Sequence, residues 1–326
     1  MDRLFVPYLL ILFFSFLATS IIESMLIPVL AGRASQPIYE EGPAWHIKKK
    51  GTPTMGGLAF IAAISFALSA ACIYLYYGAN DRQAASSVLI SLIFSLGNAL
   101  IGVFDDLTKL FRKENAGLTP LQKIVFQLIL AIVFLMAKSY FFGDTTVLKF
   151  SFGDVDIGLL YYPLAIILLL GIVNCANLTD GIDGLAASVA VTIGIVFSFI
   201  AGPYLSEASF LSAATLGGAL GFLLFNRHPA KIFMGDTGSL FLGALVVSTA
   251  FSFENPMIII PVGGVYIIEG ISVILQVLIF KLTKKRLFKM APFHHHLEKS
   301  GFSENKICIF AVLFTLALSL ISLWIF

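Results

Sequence analysis

Long runs of apolar residues fill most of the chain, and short polar segments separate them. A helix that crosses a bilayer needs about 20 mostly apolar residues, because lipid offers no hydrogen-bond partner to open backbone groups. The apolar runs predict ten such helices, at residues 4–30, 57–77, 86–104, 121–142, 158–174, 185–201, 209–225, 237–253, 257–280 and 306–325. We therefore expect an all-α polytopic membrane protein in which residues 1–326 form a single domain.

Composition and charge agree with this pattern and orient it. The 326 residues are 58% hydrophobic and only 12% charged, which is more apolar surface than one water-soluble core can hide. Of the 21 lysines and arginines, 17 lie in the odd-numbered gaps between the predicted helices or, like Lys123 and Lys306, at the adjoining helix ends. The exceptions are Arg3, Arg82, Lys138 and Lys149. Short cytoplasmic loops accumulate such residues, so both termini are expected outside and five loops in the cytoplasm.

Two further predictions concern the first span and an external segment. The first span lacks a basic leader region and is longer than a signal-peptide core of about 7 to 15 residues, so we expect it to be retained. The stretch from Leu148 to Ile157 alternates in polarity around Gly153 and Asp154, which predicts a small external β-hairpin.

Acidic residues collect at the cytoplasmic ends of the apolar spans, where polar groups are costly unless they have partners. The third span ends in GVFDDLTKLFRK, with Asp105 and Asp106 adjacent and Lys109 one helical turn on. If the helix continues, Lys109 reaches back to both carboxylates. A helix-terminal ion pair and a paired-carboxylate site for a metal or a proton both fit this pattern.

The gap between the fifth and sixth spans reads NCANLTDGIDGLA, in which three-residue steps separate Asn174, Asn177, Asp180 and Asp183. In a helix, each such step rotates the side chain by only about 60°, so neighbours in the series share a face. The segment therefore predicts a stripe of oxygen ligands. A capped and solvated turn is the simpler alternative.

Two more cytoplasmic segments carry groups suited to phosphate or metal. Asp236 lies between glycines in MGDTGS at the start of the eighth span, as an N-cap or as an anion near helix N–H groups, and Thr237 or Ser239 can share the capping role. KKKGTPTMGG joins three lysines to a small-residue turn, which suits phosphate groups or anionic lipid. The chain has no GxxxxGK[ST] motif, which excludes a P-loop nucleotide site.

The segment PFHHHLE places three of the five histidines side by side, at His294, His295 and His296. Three consecutive residues fan out by about 100° each in a helix and alternate in an extended chain, so they cannot all point at one ion. We therefore expect a substrate-reading segment rather than a zinc site. Together the loops offer carboxylates, amides and lysines, an inventory that matches a divalent cation and a polyphosphate.

The motifs DDLTK, NCANLTDGIDG, NRHPAKIFMGDTGS and APFHHHLE, in this order over ten spans, resemble the polyprenyl-phosphate N-acetylhexosamine-1-phosphate transferase superfamily. PFHHHLE together with KKGTPTMGG is similar to the bacterial branch that forms lipid I. The resemblance implies transfer of phospho-MurNAc-pentapeptide from UDP-MurNAc-pentapeptide to undecaprenyl phosphate, with UMP released and Mg²⁺ as cofactor. It also implies a homodimer in the bacterial inner (plasma) membrane and no nucleic-acid partner.

The resemblance also assigns roles to individual positions. Asp236 matches the magnesium ligand, with Asn177 as the second choice, and Asp105, with Asp106 beside it, matches the carboxylate that deprotonates or positions the lipid phosphate. His295 joins Asp105, Asp106 and Asp236 as catalytic. The expected substrate contacts are Lys48, Thr52, Lys109, Lys123, Asn177, Asp180, Asp183, Asn226, Phe233, Ser239, Gln276, His294, His295 and His296.

Two other functions compete with this one. A sister enzyme that transfers GlcNAc-1-phosphate to a polyprenyl phosphate would share the aspartate and asparagine motifs, and the histidine segment favours the muramoyl-pentapeptide substrate. A secondary transporter would use intramembrane carboxylates for a coupling ion, but it would place them near the bilayer midplane rather than at one interface.

Overall fold

A computed structural model describes residues 2–32, 49, 51–112, 117–143, 146–202 and 206–325. Within these ranges the chain forms α1 (Asp2–Leu30), α2 (Gly57–Ile73), α3 (Arg82–Arg112), α4 (Pro120–Phe142), β1 (Val147–Phe150), β2 (Gly153–Asp156), α5 (Tyr161–Thr179), α6 (Leu185–Ala201), α7 (Ser206–Asn226), α8 (Gly235–Ala250), α9 (Ile259–Val262), α10 (Gly264–Thr283), α11 (Phe293–Glu298) and α12 (Glu304–Ile325). A long helix occupies each of the ten predicted positions, which confirms the all-α polytopic class.

Among the described residues, eight helices are long and apolar enough to cross a membrane by themselves, and α6 and α8 are shorter. Helix α8 has 16 residues, all buried except Asp236. It packs against α2, α3 and α5, so protein rather than lipid surrounds it. A helix of this kind can be shorter than the bilayer is thick, because its ends are covered by neighbouring elements.

Close glycine contacts bring α2 and α3 against the N-terminal end of α8. A Cβ atom at Gly57 would overlap the backbone of Gly238, and a Cβ atom at Gly102 would overlap the backbone of Asp236. Only residues without a side chain allow this approach. It sets the last two turns of α3, which carry Asp105 and Asp106, beside the first turn of α8.

The predicted hairpin exists at the opposite end of the bundle, but its turn differs from the prediction. Phe150 pairs with Gly153, so the turn is Ser151 and Phe152 rather than Gly153 and Asp154. The end of α12 contributes to this register, because the backbone oxygen of Ile325 accepts a 2.8 Å hydrogen bond from the Ser151 N–H. A polarity pattern contains no information about such a distant contact.

The ninth predicted span is interrupted. A 3-10 turn and the four-residue α9 lead into Gly263, after which α10 runs to Thr283. Pro261 lies inside α9, where it lacks a backbone donor, and Gly263 tolerates the change of direction. The chain therefore changes direction within the ninth predicted span.

Candidate active site at the end of the bundle

Two lysines join two carboxylates from three helices. Lys109 Nζ lies 2.6 Å from Asp105 and 3.3 Å from Asp236, and Lys123 Nζ lies 3.0 Å from Asp105 and 2.6 Å from Asp236. Asp105 is fully buried, whereas 17% of the Asp236 side chain is exposed. We call these four residues, with Asp106, the carboxylate–lysine site. Because Asp236 is the most exposed of the three carboxylates, it is the one most open to a ligand.

Asp105 occupies this position because α3 continues to Arg112, well past the predicted end of the span. The Asp105 carboxylate also accepts a 2.7 Å hydrogen bond from the Leu118 N–H, which ties the segment before α4 to the site. Thr119 then caps α4 together with Gln122, and this capping box sets the direction of the helix that carries Lys123.

Asp106 binds backbone rather than lysine. Its oxygens accept hydrogen bonds from the Asp236 N–H at 3.2 Å, the Thr237 N–H at 2.9 Å and the Thr237 hydroxyl at 2.7 Å. A carboxylate at this place satisfies open donors of α8 and suits the positive end of the helix. The expectation that Lys109 reaches both aspartates is therefore wrong for Asp106, which holds α8 in place.

Asp236 is not an N-cap. Helix α8 begins at Gly235, the capping position is Met234, and no side chain caps it. Asp236 instead lies in the first turn, with its carboxylate directed to the lysines, while the Ser239 hydroxyl donates to the Gly235 oxygen at 3.0 Å.

Three carboxylates fit the requirements of a hard divalent cation. One oxygen each from Asp105, Asp106 and Asp236 can be chosen so that all lie within 4.8 Å of one another. Magnesium favours such oxygen ligands and usually completes its shell with water and substrate phosphate. The Asn177 amide lies outside this trio and donates to the Ser239 hydroxyl at 2.8 Å, so its role as a metal ligand stays a prediction.

The predicted polar stripe divides where α5 ends. Asn174 donates to Gln127 at 2.7 Å and Asn177 to Ser239, but the chain leaves the helix at Thr179, and Asp183 faces a different set of residues. Asp180 lies at the turn. Burial first, and then the carboxylates of Asp236, Asp106 and Asp183, raise its pKa well above the ordinary value of 3.8. Asp180 therefore interacts with carboxylates of two groups: Asp236 and Asp106 in the carboxylate–lysine site, and Asp183 in a second group.

The second group, which we call the Lys49 cluster, comprises Lys49, Asp183, His228 and Glu304. Lys49 Nζ lies 2.7 Å from Asp183 and 2.8 Å from Glu304, and His228 Nδ1 lies 2.9 Å from Asp183. Glu304 also accepts a 2.7 Å hydrogen bond from the Asp183 N–H. Burial lowers the pKa of Lys49, but its bonds to Asp183 and Glu304 outweigh burial and raise it. Lys49 is therefore charged in the folded protein.

Several predicted substrate contacts organise the loop between α7 and α8. The buried Asn226 accepts from the Gly184 N–H at 3.0 Å and donates to the Ile232 oxygen at 2.9 Å. The backbone of Phe233 pairs with Pro53 and Gly56, while its side chain is half-buried. Thr52 is also half-buried and lies at the same junction, and Lys48 is outside the described residues. Substrate contact remains a prediction for all four.

The three histidines point to three different places, as their spacing predicts. His294 is fully buried, with Nδ1 3.1 Å from Glu269 and its ring against Gly181. His295 Nδ1 lies 2.6 Å from Glu298, and the half-buried ring of His296 stacks on Phe293. No surface of the His294 ring is exposed in this arrangement, and direct substrate contact stays a prediction for the three histidines.

Gln276 also has protein partners. Its side-chain oxygen accepts from the N–H groups of Leu287 at 3.1 Å and Phe288 at 2.8 Å, and so it fixes the basic segment that precedes α11. Sequence reasoning did not single out Lys49, His228, Glu269 or Glu304. Glu304 carried a usable signal, because it is an acidic residue at the end of an apolar span.

Comparison with known proteins identifies the class and then the branch. Residues 88–254 match the model of glycosyl transferase family 4, and residues 49–61 match signature 1 of the phospho-N-acetylmuramoyl-pentapeptide-transferases. Curated proteins of that name are similar over nearly their full length. The one from Acetivibrio thermocellus is 40% identical over 93% of this chain and 90% of its own. The one from Halalkalibacterium halodurans is 39% identical over 97% of this chain and 98% of its own.

A third relative of the same name, from Clostridium perfringens, is 42% identical over 90% of this chain and 88% of its own. The matched signature includes Lys49 of the Lys49 cluster. The family match includes all five residues of the carboxylate–lysine site. The chain belongs to the phospho-N-acetylmuramoyl-pentapeptide transferases of glycosyl transferase family 4.

Proposed function

We propose that the protein transfers phospho-MurNAc-pentapeptide from UDP-MurNAc-pentapeptide to undecaprenyl phosphate, which gives lipid I and UMP for peptidoglycan synthesis. The reaction joins a water-soluble nucleotide to a lipid phosphate, so it needs a polar site at the end of a membrane bundle. One observation carries the proposal: α3, α4 and α8 bring two lysines and three carboxylates together at one such end.

Lys109 and Lys123 bind phosphate in this reading. Each ammonium now faces Asp105 and Asp236, and the three donors of a lysine suit phosphate oxygens as a point charge. Phosphoryl transfer relies on positioning and on charge stabilisation more than on covalent chemistry by the protein. Fixed ammonium groups supply both.

Asp236 and Asp105 are proposed to hold Mg²⁺, which when bound offsets negative charge between the two phosphate-bearing substrates. Asp106 has a positioning role, because it anchors the first turn of α8 and thereby orients Asp236. The lipid phosphate is largely ionised at pH 7, since its second pKa is about 6. Asp105 therefore positions charge, and the reaction does not depend on it as a base.

The Lys49 cluster and α11 read the nucleotide and the sugar. Lys49 carries a positive charge beside Asp183, and His228 in the same cluster is 42% exposed. Of the three histidines, His295 and His296 retain exposed surface for a substrate, while His294 fixes α11 to Glu269. Thr52, Phe233 and Gln276 belong to the loops around this nucleotide region and are proposed to contact the substrate there.

The protein is an integral membrane protein, and we propose the inner (plasma) membrane, a cytoplasmic site and a homodimer. The sidedness of lysine and arginine supports the orientation, because the carboxylate–lysine site lies at the basic end of the helices. The site's position at that end, rather than at mid-helix, argues against a coupling-ion transporter.

Isotope exchange tests the proposal. Purified protein with undecaprenyl phosphate should exchange radiolabelled UMP into UDP-MurNAc-pentapeptide when Mg²⁺ is present and stop when EDTA is added. UDP-GlcNAc, with the same lipid and metal, is the matched control substrate and should give no exchange. Exchange that is absent with Mg²⁺, or that prefers UDP-GlcNAc, would remove the assignment.

A further inference from the structure

A cavity of about 180 Å³ lies at the opposite end of the bundle from the carboxylate–lysine site. Its walls come from α4, the start of α5, the start of α7 and the segment after α8, and they include Lys138, Phe142, Tyr161, Glu207, Ser252 and Phe253. On α3, Ser87 beside this cavity precedes Asp105 by 18 residues. At 1.5 Å per residue that is about 27 Å, so the cavity belongs to the other membrane surface.

Lys138 lies in the wall with a charge that the described residues do not neutralise directly. Its Nζ donates to the Ser87 hydroxyl at 2.6 Å and lies 4.9 Å from the centre of the Phe142 ring. Within the described ranges, no carboxylate oxygen lies within 4.0 Å of this Nζ. A half-buried ammonium whose contacts among the described residues are a hydroxyl and aromatic rings is costly at this depth, and an anion in the cavity offsets that cost.

Glu207 and Glu254 both line the cavity, and since Glu254 is paired with Lys149 at 3.2 Å, Glu207 supplies the opposite charge. Glu207 lies in the first turn of α7 and faces the same cavity as Lys138, although the two groups are too far apart for an ion pair. A cavity with a cation and an anion held apart favours a zwitterion whose own charges are separated by a few bonds. In such a ligand a phosphate would face Lys138 and an ammonium would face Glu207.

The residues around the cavity suit a zwitterion that carries acyl chains. Phe141, next to the lining residue Phe142, is 51% exposed, and Leu159 and Leu160, just before Tyr161, are 83% and 71% exposed. These apolar side chains are suited to lipid rather than to water. The cavity itself is small, with room for a head group and not for a whole lipid.

We propose that this cavity binds the phosphoethanolamine head group of a phospholipid in the membrane leaflet opposite the active site. Lys138 and Ser87 hold the phosphate, Glu207 accepts hydrogen bonds from the primary ammonium, and the acyl chains lie along the rim. The site is independent of the transferase reaction, and it selects a lipid by two charges at once.

Native mass spectrometry of the detergent-purified protein tests the proposal, with dioleoyl phosphatidylethanolamine and dioleoyl phosphatidylglycerol titrated separately. We expect one phosphatidylethanolamine to bind more tightly than phosphatidylglycerol. Lys138→Met should weaken binding by at least about tenfold, the usual loss when a charged hydrogen-bond partner is removed. Lys138→Arg should retain binding. Arg82→Met is the matched control, because Arg82 lies at the same end at the start of α3, is exposed, and sits over the Tyr76 ring outside the cavity lining.

Glu207→Gln gives a second, independent result. It should remove the preference for phosphatidylethanolamine over phosphatidylglycerol while leaving a lipid bound, since only the ammonium partner is lost. Unchanged binding by Lys138→Met, or an unchanged preference in Glu207→Gln, would overturn the proposal. Equal affinity for O-phosphoethanolamine, which has no acyl chains, would instead identify a site for soluble phosphate compounds and would also overturn the lipid assignment.

Discussion

Gly117 is the position where a single added carbon tests the geometry of the carboxylate–lysine site. A Cβ atom there would lie 2.6 Å from Cγ and 2.8 Å from Oδ2 of Asp105, with Oδ1 closer still. Carbon atoms normally approach to about 3.5–4.0 Å, so the carboxylate must shift by roughly 1 Å. Asp105 is fully buried and held by Lys109, Lys123 and the Leu118 N–H, and it therefore has no unused space to move into.

A misplacement of about 1 Å can cost roughly 10²-fold in rate. We expect Gly117→Ala to lower kcat for UMP release by about that factor, while the purified protein stays folded. Gly171→Ala is the control, because a Cβ atom at Gly171 meets nothing within 4 Å. If Gly117→Ala keeps kcat within about threefold of wild type, the exact position of Asp105 does not govern the reaction and the reasoning fails.

Three further changes test other parts of the site. Asp236→Ala should abolish exchange while the protein stays folded, and activity retained at saturating Mg²⁺ would exclude Asp236 from the metal site. His295→Ala should reduce exchange much more than Lys299→Ala, and equal effects would assign α11 a structural role only. Burial and neighbouring carboxylates raise the pKa of Asp180, so the folded protein holds a proton there that the unfolded chain releases above about pH 3.8. Stability in EDTA should therefore fall as pH rises from that value, and Asp180→Asn should flatten the decline in Tm. The exposed Asp156, whose pKa is lowered mainly by the Thr146 hydroxyl, is the control, and Asp156→Asn should leave the decline in place. A parallel decline in wild type and Asp180→Asn would refute this origin of the pH dependence.

The helices were predictable because lipid imposes one rule on every crossing. An apolar run of sufficient length must form a helix, and Lys109 and Asp105 could be paired from their spacing once that helix was allowed to continue. The same rule explains the limits of the boundaries. Nothing in the composition of α3 distinguishes a helix that ends at the interface from one that continues to Arg112 and carries its last two turns into the site.

The Lys49 cluster was not predictable, because its contacts join residues that are far apart in the chain. Lys49 reaches Asp183 across 134 positions and Glu304 across 255, and no local period relates them. Spacing alone showed that the three histidines must diverge, but not which one faces inward. That choice depends on Glu269, which projects from α10 and accepts hydrogen bonds from the His294 backbone and ring. Local chemistry thus identifies the groups that a site needs, while long-range packing decides which of them contact the substrate and which hold the others in place.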